Sequence, residues 1–255
     1  MATGSPPRSS VISQILGRGA LRGCIALFIA RRMSEPATPA DRLRAVAAAI
    51  DKAANIANRK STGVTLIAVS KTYDAADIRP LLDAGHRVFG ENRVQEAAAK
   101  WPELRTHYDR VELHLVGQLQ SNKAAEAVAL FDVIHSVDRP SLVAALGKAM
   151  TQLSKRPLCF LQVDLADEPQ KGGCPVHDLL MLLASARTAG LRVAGLMCVP
   201  PAGLEPAPWF ALLAKLAADN GLTGLSMGMS GDYPSAVTLG ATHVRVGTAL
   251  FGQRA

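Results

Sequence analysis

A lysine follows the first strongly apolar segment of the chain. Residues 64–69 read VTLIAV, and Ser70 and Lys71 come next. An apolar, β-branched run of this length is typical of a buried strand, so a primary amine stands at its carboxyl end. Apolar surroundings disfavour the charged ammonium and favour the neutral amine that attacks an aldehyde to form a Schiff base. Lys71 is therefore a candidate for covalent binding of an aldehyde, and a solvated surface lysine is the alternative.

Two later segments combine glycine with hydroxyl-bearing residues. Residues 226–232 read SMGMSGD and include Met229 and Ser230, and residues 245–248 read RVGT and include Gly247 and Thr248. Glycine lets the backbone approach an anion closely, and free N–H groups at the start of a helix after Asp232 would face it. The two segments predict a phosphate site, and tight turns without a ligand are the alternative.

An aldehyde-binding amine opposite a phosphate site calls for a ligand that carries both groups, and pyridoxal 5′-phosphate (PLP) meets that description. Arg245 can face the pyridine nitrogen, where a permanently protonated guanidinium would leave that nitrogen unprotonated. A structural salt bridge is the alternative role for Arg245. Asn92, in the segment FGENRVQE (residues 89–96), can hydrogen-bond the phenolic oxygen. Lys171 is a weaker alternative to Lys71.

Other polar residues have structural interpretations. Glu91 and Glu96 are expected to cap or pair with the following helix, and His114 to be a hydrogen-bonded core histidine. The cysteines are Cys24, Cys159, Cys174 and Cys198. Their spacing gives no metal site, and Cys159 and Cys198 are expected to be buried, unreactive thiols of a reduced, cytoplasmic protein.

These residues belong to a regular alternation of short apolar segments with alanine- and leucine-rich segments of helical spacing. Eight strands are predicted, at residues 64–69, 87–89, 112–116, 133–137, 158–165, 191–199, 222–226 and 243–246. Helices are predicted at residues 42–59, 77–84, 94–101, 122–129, 141–153, 176–189 and 208–220. Asp74 and Asp138 can cap helix starts, and Gly85, Gly190 and Gly221 follow helix ends. Residues 167–173 are expected to form a mobile loop.

Repeated strand–helix–strand units predict parallel strands, because a parallel pair requires a crossover connection. Eight such units favour an α/β fold of the single (β/α)8 TIM-barrel type, whose functional residues lie at the carboxyl ends of the strands. The alternative is an open, doubly wound sheet. It is less favoured because no GxGxxG motif follows the first strand.

Composition and charge limit the other possibilities. The chain has 255 residues, of which 49% are hydrophobic and 4% aromatic, with a net charge of +7. Five of these charges come from residues 1–32, which contain no lysine or acidic residue, namely Arg8, Arg18, Arg22, Arg31 and Arg32. The rest is nearly neutral, so we expect no nucleic-acid partner. The apolar run 21–30 is too short to span a bilayer, and no membrane partner is expected.

Residues 1–34 are interpreted as an unstructured or mis-annotated extension, with a targeting segment as the alternative, and residues 35–255 as the barrel domain.

From about residue 41 to residue 254, the sequence resembles the pyridoxal phosphate homeostasis proteins, the PLP-binding proteins of the YggS/PROSC type. The motifs that carry the resemblance are AVSK (68–71), FGENRVQE (89–96), HLVGQLQSNK (114–123), GLM (195–197), LSMGMS (225–230) and VRVGT (244–248). Gln118 stands where a proline is common in the family. Residues 1–32 have no counterpart in the typical member.

The resemblance implies a single barrel similar to the N-terminal domain of alanine racemase. It implies an internal aldimine on Lys71, phosphate contacts from the Ser230 and Gly247–Thr248 loops, and Arg245 near the ring nitrogen. It also implies a role in vitamin B6 homeostasis without catalysis, as a carrier that supplies PLP to PLP-dependent apoenzymes. We expect this carrier to be a monomer. The alternative is a PLP-dependent amino-acid racemase, which needs a second base. The tyrosines available for that role are Tyr73, Tyr108 and Tyr233. A third reading is an enzyme that uses Lys71 with an aldehyde substrate and no cofactor.

Overall fold

The structure is a computed structural model that describes residues 37–252. The interpretation of residues 1–34, and Cys24 with it, lies outside the described residues.

Nine strands are present in the described part of the chain. They are β1 (Thr65–Val69), β2 (Val88–Glu91), β3 (Glu112–Leu115), β4 (Val133–Val137), β5 (Leu158–Asp164), β6 (Cys174–Pro175), β7 (Arg192–Met197), β8 (Gly224–Ser226) and β9 (His243–Val246). All eight predicted strands are confirmed. The additional strand, β6, has only two residues and pairs with the end of β5.

The α-helices alternate with these strands. They are α1 (Pro39–Ile56), α2 (Ala75–Asp83), α3 (Val94–His107), α4 (Ala124–Leu130), α5 (Pro140–Leu153), α6 (Leu179–Thr188), α7 (Ala207–Asp219), α8 (Tyr233–Thr238) and α9 (Thr248–Phe251). The segment 167–173, which was predicted as a loop, contains a 3-10 turn, Pro169–Lys171.

The eight long strands close into a parallel barrel. Their order is β4-β3-β2-β1-β9-β8-β7-β5, and β4 also pairs with β5. The closure between β1 and β9 runs from Thr65 opposite His243 to Ala68 opposite Val246. The prediction of a (β/α)8 TIM barrel is therefore confirmed, and the open doubly wound sheet is wrong.

Two cores stabilise the barrel. A large apolar core fills the space between strands and helices. A smaller cluster inside the barrel contains Val133, Phe160 and Met197. Gly224 provides the room for the Phe160 ring, because a Cβ at this position would lie 2.8 Å from Phe160 Cε1. His114 is completely buried beside this cluster, as the sequence predicted.

Helix ends follow the predicted pattern with two exceptions. Asp74 caps α2, accepting a hydrogen bond from the N–H of Asp77, and the three glycines that follow helix ends have positive φ. Asp138 does not cap α5, because Arg139 holds the cap position and its guanidinium binds the Asp138 carboxylate. Helix α3 continues past its predicted end at Trp101 to His107, with Pro102 inside it. Within residues 37–252, no helix has both the length and the apolarity needed to cross a bilayer.

Candidate functional site

A cavity of about 760 Å³ lies at the carboxyl ends of the barrel strands. All seven residues predicted to hold a cofactor line this cavity, namely Lys71, Asn92, Met229, Ser230, Arg245, Gly247 and Thr248. The alternative amine, Lys171, lies on its wall as well. The chain thus brings together groups that are separated by up to 177 positions in the sequence (71 to 248).

Lys71 follows β1 in a loop that is fixed by other side chains. Lys100 Nζ, on α3, donates to the carbonyl oxygens of Ser70 (2.9 Å) and Tyr73 (2.8 Å). Thr72 adopts a positive φ of 63° and its N–H donates to the Glu96 carboxylate. Lys71 itself is exposed, so the apolar desolvation expected from the strand sequence is absent: the strand ends at Val69, and Lys71 stands in the loop beyond it.

A buried carboxylate supports this loop from below. Glu91, at the end of β2, is fully buried. Its Oε1 accepts hydrogen bonds from Ser70 Oγ (2.6 Å), Trp101 Nε1 (2.9 Å) and Lys100 Nζ (2.9 Å). Burial raises the pKa of Glu91, and its three donors oppose that shift. The expected pairing role of Glu91 is confirmed.

Lys100 was not anticipated from the sequence. The available signal was its position four residues after Glu96 on one helix face, a spacing that favours an ion pair. The contact with the loop of Lys71 had no sequence signal, because it joins residues about thirty positions apart.

The predicted phosphate segments meet at Ser230. Ser230 Oγ accepts hydrogen bonds from the N–H groups of Gly247 (3.2 Å) and Ala249 (3.4 Å). The N–H of Tyr233, the first residue of α8, donates to the carbonyl of Met229, so it is not one of the free N–H groups expected after Asp232. The donors that converge on Ser230 come from Gly247 and from α9, after β9.

Arg245 lies under the cavity floor and is 5% exposed. Its Nη1 donates to Ser226 Oγ (2.7 Å) and its Nη2 to the carbonyl of Cys198 (2.8 Å). Burial lowers the pKa of Arg245. Among the described residues no carboxylate forms an ion pair with it, so the alternative of a structural salt bridge is not supported.

The Lys171 ammonium is already engaged. Its Nζ lies 2.7 Å from Glu168 Oε2 and donates to the carbonyl of Pro200 at 3.1 Å. A reaction at this amine would require the loss of an ion pair. The ion pair with Glu168 therefore disfavours Lys171 as the aldehyde-binding group.

The described cysteine thiols are buried, whereas one tyrosine lies at the cavity. Cys159 and Cys198 are buried with free thiols, and burial raises the pKa of each to about 12, which confirms the expectation of unreactive thiols. In the part of the chain that the structure describes, no cluster of metal ligands is found. Tyr73 lines the cavity, and its hydroxyl donates to the carbonyl of Gly252 at 3.2 Å. Tyr108 binds Asp83, and Tyr233 is buried at the start of α8.

Comparison with known proteins identifies the family. The family model "Alanine racemase, N-terminal domain" matches residues 42–255. A protein of Pseudomonas aeruginosa named pyridoxal phosphate homeostasis protein is 41% identical over 224 residues, which cover 85% of this chain and 96% of that protein.

Solved structures agree with the sequence comparison. PipY of Synechococcus elongatus, determined with PLP bound, has 42% identity and a TM-score of 0.72, covering 80% of this chain and all of that one. Alanine racemase of Clostridium difficile, with 13% identity, a TM-score of 0.60 and coverage of 81% of this chain and 56% of that one, shares the fold. With this barrel, this cavity and these relatives, the chain belongs to the pyridoxal phosphate homeostasis protein family, within the broader family of the alanine racemase N-terminal domain.

Proposed function

We propose that the chain binds PLP in the cavity at the carboxyl ends of the strands, holds it on Lys71 and releases it to other proteins. The observation that carries this proposal is the meeting of a lysine amine, a buried guanidinium and a cluster of backbone N–H groups around one cavity of about 760 Å³. The relative PipY, whose structure was determined with PLP bound, supports the same ligand.

The residues present fit this cofactor. The Ser230 hydroxyl and the N–H groups of Gly247 and Ala249 suit a phosphate, since hydroxyls and helix-terminal N–H groups are common phosphate ligands. In this proposal Met229 and Thr248 complete the phosphate site, and Asn92 binds the phenolic oxygen. When bound, PLP supplies an aldehyde that condenses with a primary amine, with loss of water and formation of a C=N bond.

Arg245 disfavours a catalytic use of the cofactor that requires loss of a substrate proton. The guanidinium can only donate hydrogen bonds, so a ring nitrogen that faces it must accept and stays unprotonated. An unprotonated pyridine ring withdraws electrons less strongly than a protonated one, which disfavours the loss of a substrate proton. The exposed position of Lys71 suits release of the cofactor.

The absorption spectrum of the protein after addition of PLP tests this proposal. We expect a yellow chromophore that borohydride reduces, leaving a stable adduct that peptide mapping places on Lys71. Lys71→Ala should lack the chromophore. Lys171→Ala is the matched control, because it removes another amine from the same cavity wall and should keep the chromophore.

Two results would overturn this proposal. Absence of a chromophore with excess PLP would favour the cofactor-free aldehyde enzyme, and an adduct on Lys171 would move the covalent bond to the other amine. Racemisation of an added amino acid by the PLP-loaded protein would establish the racemase alternative.

We further propose that the acceptors are PLP-dependent apoenzymes, and that the protein acts as a monomer in the cytoplasm. The free thiols of the described cysteines support a reducing compartment. Mixing PLP-loaded protein with an apoenzyme should restore that enzyme's activity faster than spontaneous dissociation of PLP allows. Equal rates would contradict direct transfer, and light scattering measures the oligomeric state.

A further inference from the structure

A row of hydrogen-bonded side chains crosses the inside of the barrel below Arg245. Arg245 Nη1 lies 2.7 Å from Ser226 Oγ, and Ser226 Oγ lies 2.9 Å from His135 Nδ1. His135 Nε2 lies 2.8 Å from His114 Nδ1, and His114 Nε2 lies 2.8 Å from Glu112 Oε1. The five side chains form one continuous chain of contacts.

This row connects the cavity to the other end of the barrel. Ser226, His135 and His114 are completely buried, and Arg245 is nearly so. Glu112 is the first residue of β3, and its side chain is 49% exposed. The row thus begins at the cavity and ends at a half-exposed carboxylate at the amino-terminal end of the strands.

Neutral histidines give the protons one direction along the row. A guanidinium only donates, so Ser226 Oγ accepts from Arg245, and with both histidines neutral it turns its own proton toward His135 Nδ1. His135 then carries its proton on Nε2 and donates to His114 Nδ1. His114 carries its proton on Nε2 and donates to Glu112, which only accepts. Every contact in the row is satisfied with both histidines neutral.

Burial supports a neutral His135. It lowers the pKa of His135 well below its usual value, and the positive charge of Arg245 adds to the shift. His243, on β9, lies beside the row, but its Nδ1 contacts Thr242 Oγ1. The negative charge of Asp232 opposes the lowering of the Arg245 pKa that burial causes.

We propose that Ser226, His135 and His114 are positioning residues that hold the Arg245 guanidinium under the cavity through a proton-ordered chain ending at Glu112. The consequence for PLP rests on the proposed function. Loss of His135 leaves the Ser226 hydroxyl without its hydrogen-bond acceptor. The hydroxyl then competes with the Arg245 guanidinium for other acceptors. The environment of the ring nitrogen changes, although His135 does not line the cavity.

The first test needs no cofactor. Long-range nitrogen–proton NMR of the ¹⁵N-labelled wild-type protein at pH 7.5 distinguishes the two neutral forms of each imidazole. We expect His135 and His114 each to carry a single proton on Nε2. A proton on His135 Nδ1, or a doubly protonated His135, would overturn the proposal without any reference to PLP.

The second test uses a matched pair of variants. His135→Phe keeps the ring that stacks on Phe160 (centroids 4.6 Å apart) but removes both nitrogens. His243→Phe replaces another imidazole that contacts Phe160 (4.9 Å) and lies outside the row. We expect His135→Phe to weaken PLP binding about tenfold, which corresponds to the free energy of roughly one hydrogen bond. It should also shift the pH profile of the bound chromophore.

The control, which leaves every contact of the row in place, should change the affinity and the pH profile much less than His135→Phe does. Equal effects of the two variants, or unchanged binding and pH profile in His135→Phe, would overturn the positioning role. If the wild-type protein fails to bind PLP, the proposed function fails, and the NMR result still decides whether the proton-ordered chain exists.

Discussion

Lys100 connects three parts of the cavity wall. Its ammonium contacts the backbone of the Lys71 loop, the buried Glu91 and the Glu96 carboxylate. The side chain is only 9% exposed, so water replaces few of these contacts when the ammonium is removed. An uncompensated buried carboxylate is costly, which makes Lys100 important both for stability and for the position of Lys71.

We predict that Lys100→Met lowers the free energy of unfolding by about 3 kcal/mol, because it leaves Glu91 buried without its cation. Urea denaturation measures this loss. The control is Lys123→Met, which breaks the more exposed ion pair with Glu126 and should cost less than about 1 kcal/mol.

A double variant separates the ion pair from other contacts of Lys100. In Glu91→Gln/Lys100→Met the carboxylate is gone, so the loss should be smaller than the sum of the two single losses. Additive losses would contradict a direct dependence of Glu91 on Lys100.

The individual site residues differed in how well the sequence predicted them. Lys71, Ser230 and Arg245 could be found because each lies at or just after the end of an apolar segment, and barrel strands bring their ends together. Lys100 and His135 could not, since their roles depend on partners from other parts of the chain. Which side chains meet inside a barrel depends on the register of the strands, and a single sequence does not show that register.

The ends of β2 and β3 pack against each other at Gly117. A Cβ on Gly117 would lie 2.3 Å from the backbone oxygen of Asn92. No real Cβ approaches backbone so closely, so any side chain at position 117 forces the two strand ends apart. Both residues line the cavity, and this contact therefore fixes where Asn92 stands.

We predict that Gly117→Ala weakens PLP binding and lowers the free energy of unfolding by about 1–3 kcal/mol, the usual cost of overpacking. Titration with PLP and urea denaturation measure the two effects. Gly63→Ala is the control, because its Cβ would meet only Arg59 Nη2 at 3.8 Å, an ordinary contact. Unchanged PLP affinity in Gly117→Ala would show that the position of Asn92 does not matter for binding.

The secondary-structure elements were predictable where local pattern decides them. Eight strands followed from apolar runs, whereas β6 was missed because its two residues, Cys174 and Pro175, give no periodic pattern. Helix α3 passes through Pro102 since Trp101 and Leu104 are buried on either side of it. Burial of these side chains offsets the hydrogen bond that the proline removes.

The barrel as a whole encloses ionisable groups that stay neutral when folded. Burial lowers the pKa of His243 to about 4, and it also lowers the pKa of His135 well below its usual value. The unfolded chain binds protons on these histidines near pH 6.5, whereas the folded protein does not. Acid therefore favours unfolding. Glu91, whose pKa is raised by burial, acts in the opposite direction.

We predict that the free energy of unfolding decreases as the pH falls from about 6.5 toward 4. A pKa of about 4 for His243 against 6.5 unfolded corresponds to a loss of at most about 3 kcal/mol. Urea denaturation at several pH values and constant ionic strength measures the slope, and His243→Phe should reduce it. A stability that does not change with pH across this range would contradict neutral buried histidines.

The pairing of β1 with β9 has a consequence for synthesis on the ribosome. Residues 65–69 are made long before residues 243–246, with which they pair, so the nascent chain carries an open sheet edge through most of translation. Such an edge can recruit another strand, and long-range pairing is slow to form. Arg245 and Gly247 leave the ribosome with this last strand. The cavity and the β1–β9 pairing that closes the barrel are therefore completed at the same moment. A cofactor that binds in the cavity can then stabilise the newly closed barrel.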